Sequence, residues 1–266
     1  MENKSLWLGR SRGPVRLAMI GFTGLALLMF AVLVLLKLFT ADAIGMHEMI
    51  RPAGRPMVTV MLLLIAGSIL FTSLYLSDTK GDIESEPDGI FDILSLVTSR
   101  MAMIMIALTV LVMFYEVVSR YTFSRPTLWA NELSLWIASF VFLFAGQYAM
   151  QQRSHIRIYV LYDLMPRWMQ KSADVLSLLL LVTFTFSLVW GGYSDAVTRM
   201  LRMETFGTAW DPPIPGILKP SILFIIVLVT VQAVSNLIAD WNKAPEAHSD
   251  APDETEIENL RRTLEN

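Results

Sequence analysis

Residues 116–168, EVVSRYTFSRPTLWANELSLWIASFVFLFAGQYAMQQRSHIRIYVLYDLMPRW, decide the fold. The stretch opens on a charged end, Glu116 and Arg120, and passes through a short turn holding Arg125 and Pro126. Trp129 and Glu132 follow, and the chain then runs from Leu133 to Met150 without a charge. A helix crosses a hydrocarbon core of about 30 Å with roughly 20 apolar residues, so this run reads as one membrane span, with charges and indoles at its rim. Gln151, Gln152, Arg153, Ser154, His155 and Arg157 form a polar elbow after it. From Ile158 onward Leu161, Leu164, Met165 and Trp168 recur at three-to-four spacing, while Arg157, Asp163, Arg167 and Lys171 fall elsewhere on the wheel. That pattern predicts an amphipathic helix lying in the interface, with Pro166 able to start a new helix.

Working outward, five more stretches satisfy the same criterion: 17–36, 57–76, about 96–118, 175–193 and 220–239. The span at 96–118 differs in holding Arg100 near its start and Glu116 near its end, both close enough to an interface to snorkel. Alternating strands of the barrel type are not seen, so helices must satisfy the backbone in lipid. Hydrophobic residues make up 54% of the chain, and charge is confined to short intervals between apolar runs. The reading is therefore an all-α integral membrane protein with six transmembrane helices and an interfacial amphipathic helix between spans 4 and 5.

Composition shifts divide the chain into three parts. Residues 1–92 form a leader of two helices closed by an acidic linker, in which Asp78, Asp82, Glu84, Glu86, Asp88 and Asp92 surround Pro87 and Gly89 and read as solvated. Residues 93–241 hold a four-helix body, and 242–266 a polar tail read as disordered apart from a short helix at 254–264. Lys4, Arg10, Arg12 and Arg16 precede the first span, and Ala41-Asp42-Ala43 resembles a cleavage site. The apolar run is longer than the roughly 7–15 residues of a signal-peptide core, which favours an uncleaved anchor. With the N-terminus inside, thirteen Lys and Arg fall on the cytoplasmic side and eight opposite, so both termini are expected in the cytoplasm.

Several function classes fall away. A net charge of −3 gives no reason to expect nucleic acid, and the absence of cysteine removes thiolate metal sites and cysteine nucleophiles. No HExxH, P-loop or GxSxG occurs, so no catalysis is expected. His47, His155 and His248 lie in loops or the tail, which argues against the haem-binding membrane anchor of a respiratory enzyme. The halves show no inverted repeat of the kind a self-sufficient secondary transporter carries, and a stand-alone carrier or channel stays as the alternative, one that would transport when reconstituted alone.

The rim of the quoted stretch offers the candidate residues. Glu116 and Arg120 stand four apart with the acid first, and Arg125 to Glu132 lies across the turn, so spans 3 and 4 are expected to be clamped by ion pairs. Trp129, Glu132 and Trp136 share one helix face, which anchors at headgroups or meets a protein. Gly21 and Gly24 permit close helix contact.

VVSRYTFSRPTLWANELSLWIASFVFLFAGQYAMQQRSHIRIYVLYDLMP at 117–166, followed by ETFGTAWDPPIPGILKP at 204–220, resembles the DctQ-like small membrane subunit of tripartite ATP-independent periplasmic (TRAP) transporters. Arg120, Trp129, Glu132, Gly146, His155 and Arg157 match that family's pattern, with Glu204, Pro212, Pro213 and Pro215 in the later loop. Many relatives carry an acid shortly after the His-x-Arg element, where this chain has Ile158-Tyr159-Val160, and the leader exceeds the usual four-helix plan. The resemblance implies a non-enzymatic scaffold in the bacterial inner membrane that packs against a large M-type subunit. That subunit would bind sodium and substrate, a solute such as an organic acid, delivered by a periplasmic binding protein. No cofactor is implied on this chain, and a bound phospholipid is compatible with the resemblance. The expected interface residues are Arg120, Arg125, Trp129, Glu132, Trp136, His155, Arg157 and Trp168, with Glu116 in an interhelical ion pair.

Overall fold

The computed structural model describes residues 5–40, 44–52, 54–79, 81, 84, 87, 89–153, 162 and 165–242, the side chain of Leu38 apart. After a 3-10 turn at Gly9–Ser11, the helices are α1 (Arg12–Phe39), α2 (Met46–Met49), α3 (Pro56–Ser77), α4 (Ile90–Thr122), α5 (Ala130–Gln151), α6 (Arg167–Leu201) and α7 (Ile214–Asp240). All but α2 are long and apolar enough to cross a membrane, and no strand occurs among the described residues. The six spans anticipated from apolar runs are thus present, extended by as little as one residue at each end in α3 and by a turn or more in α4 and α6.

Neighbours in space follow the order α1, α3, α4, α5, α7, α6, a row rather than a closed bundle. Large apolar side chains such as Leu27, Phe142, Phe186 and Trp190 are exposed along the row, as a surface facing lipid or another membrane protein requires. Consecutive spans run antiparallel and define two rims. The near rim carries the starts of α1, α4 and α6 with the ends of α3, α5 and α7, and the far rim carries the opposite ends.

Each outer hairpin is pinned by one hydroxyl pair between apolar turns. Thr23 Oγ1 and Ser68 Oγ join α1 to α3 at 2.7 Å, and Thr185 Oγ1 and Thr230 Oγ1 join α6 to α7 at 2.6 Å. Phe22 stacks on Phe71 at 5.1 Å, and a Cβ on Gly67 would overlap the Phe22 ring, so the small residue that permits close packing is Gly67. Gly21 and Gly24, which the sequence offers for that role, have open space where a Cβ would be.

Asp78 and Glu84 depart from the solvated state expected of the acidic linker, whose Asp82, Glu86 and Asp88 lie outside the described residues. Asp78 is fully buried and Glu84 nearly so, because each accepts hydrogen bonds from backbone amides and a cation instead of water. The leader is accordingly packed on the body along α3 and α4. Trp168 and Lys171, assigned from periodicity to the in-plane helix, belong to the first turns of α6, which starts where Pro166 supplies an extended N-cap. The remainder of that in-plane helix, with His155 and Arg157, and the tail helix at 254–264 lie outside the described residues, as does Ala41-Asp42-Ala43.

Candidate functional site

The far rim is built around Glu116, buried in the penultimate turn of α4. Arg120, one turn on, donates from Nε at 2.9 Å and Nη2 at 2.5 Å to Glu116 Oε1. The turn after α4 then brings Thr127 back: its amide donates to Glu116 Oε2 at 2.9 Å and its hydroxyl to the same oxygen at 2.5 Å. Ser124 adopts a left-handed backbone (φ 53°), and Ser119 closes the turn, donating its hydroxyl to the Arg125 carbonyl and accepting the Arg125 amide on its own carbonyl. A buried carboxylate with four donors is stable only because every lone pair is used. The ion pair lies within α4, and the link toward α5 runs through Thr127, not through a second charge.

Glu132 does not meet Arg125. It accepts the Thr208 hydroxyl at 2.7 Å from the loop after α6, and the Arg125 side chain is exposed. The turn closes through the backbone of Arg125, and its side chain stays exposed. Trp129 N-caps α5 and stacks on Tyr115 of α4 at 5.7 Å, and Trp136 is half-buried with its indole N–H buried and without an acceptor among the described residues. The shared Trp129, Glu132 and Trp136 face is therefore partly committed inside the chain. Residues left exposed on this rim include Arg125, Tyr121, Phe123 and Leu128.

The loop before α7 completes the far rim. Asp195 pairs with Arg199 at 2.8 Å and with Lys219, and Arg199 also pairs with Glu204. Gly216 lets the start of α7 touch the end of α6, since a Cβ there would stand 3.0 Å from the Arg199 carbonyl. Buried Trp210 donates its indole N–H to the Met46 carbonyl at 2.9 Å, and Arg51 lies 3.7 Å from Asp211. The leader thus reaches the last loop of the body.

The near rim is richer in buried polar groups. Arg100 donates from Nη2 to Glu84 Oε2 at 2.6 Å and to the Thr79 carbonyl at 3.1 Å, and Tyr148 donates its hydroxyl to Glu84 Oε1 at 2.9 Å. Burial pushes the Glu84 carboxyl up, but Arg100, the Gly81 amide and Tyr148 outweigh it and hold it below its ordinary range. Arg100 does not snorkel as the sequence suggests, because an acid and a helix-end carbonyl are folded over it. Asp78 anchors the N-terminal segment similarly, taking the Ser5 hydroxyl and the Trp7 and Leu8 amides at 2.9 Å each, with Arg12 at 3.3 Å. Its burial opposes ionisation, yet those donors keep the carboxyl below the usual value.

Glutamines carry the same rim across the row. Gln147 meets Thr98, Gln232 donates to Asp92 at 2.6 Å and to Asn236, and Asn236 donates to the Met150 carbonyl at 2.6 Å. Arg153, with a left-handed backbone (φ 55°), forms a fork on Asp240 at 2.5 and 2.9 Å. Hydrogen bonds therefore stitch α4, α5 and α7 together on this side, and Trp168 stands 69% exposed at its edge. Sequence reading missed Arg100, Glu84 and Tyr148 as a group. The signal was a lone cation inside a span preceded by acids.

The arrangement ties neighbouring helices to one another through side-chain hydrogen bonds and ion pairs at both rims. No counterpart is found among curated proteins or solved structures. Residues 109–243, just over half of the chain and most of the four-helix body, match the model of the family described as tripartite ATP-independent periplasmic transporters, DctQ component. With its six spans and its rims of fixed ion pairs, this chain belongs to the DctQ family and is a small membrane subunit of a TRAP transporter.

Proposed function

We propose that the chain is the stationary membrane partner of a larger TRAP membrane subunit, which binds and moves the solute while this row of helices holds its place in the bilayer. The observation that carries the reading is where charge resides. Ionisable groups in the spans sit toward the rims, and Arg100, Glu116, Asp195 and Arg199 each end on an internal partner. Ion paths need exposed or exchangeable intramembrane charge, whereas a frame needs charge that is spent on its own helices. Sodium and a solute such as an organic acid then belong to the large subunit, and a periplasmic binding protein supplies the solute. The bias of thirteen cations against eight supports an inner-membrane protein with the near rim and both termini in the cytoplasm.

Among the sequence-derived candidates, Arg120, Arg125 and Trp168 are exposed and open to contact with the partner, with Tyr121, Phe123 and Leu128 beside them, while His155 and Arg157 lie outside the described residues. Affinity purification of the chain from its native membranes, with mass spectrometry, should recover a larger permease; recovery of this chain alone would refute the reading. Purified by itself into liposomes, the chain should transport nothing. The pair Arg125→Ala with Trp168→Ala should lower co-purification of the permease, and full assembly would remove both residues from the interface.

A further inference from the structure

The leader lies outside residues 109–243, the part that matches the family, and the structure gives it a socket. Arg100 belongs to the body, but its counter-charge Glu84 and its second acceptor, the Thr79 carbonyl at the end of α3, both come from the leader side. Glu84 is in turn held by Tyr148 of α5, so one leader carboxylate bridges two body helices. The Arg100 and Glu84 side chains are 10% and 9% exposed, which places the pair out of water. Such a pair is worth little against an apolar replacement, but removing one member leaves a buried charge without compensation. The far rim holds a second, independent contact, where Trp210 and Asp211 of the body meet Met46 and Arg51 of the leader. Between the two, α3 lies along α4.

We propose that the N-terminal helix pair is a recognition partner of the body in its own right, docked by the Arg100 socket and independent of the peptide bond that joins them. The body's interaction surface is the α4 flank, and the partner that fits it is a two-helix membrane hairpin bearing an acid shortly after its second helix. This chain carries that partner in cis. The proposal stands apart from the reading of the large subunit, since every contact it uses is within the chain.

The test uses the full chain with a protease recognition sequence inserted after Pro87, expressed and cleaved in open membrane fragments, then extracted in mild detergent through a tag on the body. The N-terminal fragment should co-purify with the body after cleavage. Glu84→Gln and Arg100→Gln should each cut the recovered fragment roughly tenfold or more, because each strands one buried charge, while Glu84→Leu with Arg100→Met should restore much of it. Loss of the fragment from the unsubstituted cleaved chain would overturn the proposal, and so would retention unaffected by either single substitution. Should a variant express poorly, a second measurement remains. The chain has no cysteine, so Arg51→Cys with Asp211→Cys supplies the only thiols, and a short bifunctional reagent should link fragment to body after cleavage. Absence of that link in the cleaved but otherwise unsubstituted protein would likewise overturn the docking.

Discussion

The two rims solve one problem by different means. At the far rim, Glu116 is satisfied by Arg120 and Thr127, all within twelve residues of chain, so a single turn closes the network. At the near rim, Arg100 depends on Glu84 from the linker and Tyr148 from the next helix, and Gln232 reaches back to Asp92. The far-rim turn is a local device that forms with one hairpin, whereas the near rim requires several helices to be in place together. Long-range polar contacts give unique register at the cost of leaving charge stranded whenever one element is absent.

The comparison is broken most severely at Arg100. Arg100→Ala leaves Glu84 buried without its cation and should cost about 3–5 kcal/mol, read as a lowered unfolding midpoint in detergent. An undiminished midpoint would mean that water reaches Glu84. Thr127→Val tests the local device by removing one hydroxyl donor to Glu116, and about 1 kcal/mol should be lost without release of other helices. A collapse as large as that of Arg100→Ala would erase the distinction between the rims.

Acidification sharpens it next. Asp78 and Glu84 have carboxyls held below their ordinary values, so their stabilisation is fully present at neutral pH and fades as the pH falls below about 4. Amide exchange in residues 5–11 should rise on acidification before exchange in the α4–α5 turn does. Simultaneous loss would show that the near rim is not the acid-sensitive one. The smallest effect belongs to Arg125→Glu, whose side chain is exposed and whose expected partner Glu132 is engaged by Thr208. Its thermal stability should stay within about 0.5 kcal/mol of the unsubstituted chain, and a larger loss would restore the clamp across the turn.

These differences track what was legible in the residues themselves. Apolar runs of membrane length expose all six spans, and the four-residue spacing of Glu116 and Arg120 exposes their pair, because both are local patterns. Arg125 and Glu132 fail as a pair since the sequence shows proximity across a turn but not which way a side chain leaves it. Thr208, 76 residues from Glu132, carries no local sign of its role. The acids of 77–92 read as solvated because composition cannot reveal that Arg100 awaits Glu84 and Arg12 awaits Asp78. Gly67 was equally hidden: nothing at that position announces the Phe22 ring opposite it.

Helix α6 spans 35 residues, about 52 Å at 1.5 Å per residue, against a hydrocarbon layer of about 30 Å. It stands at one end of the row with α7 as its packing neighbour, and much of its other flank, from Leu176 through Trp190, is bare. A rod that outreaches its solvent must lean or protrude, and a rod braced along one side takes part of its tilt from that brace. The inclination of α6 is therefore shared between α7, which holds one flank, and the lipid or protein surface that meets the other.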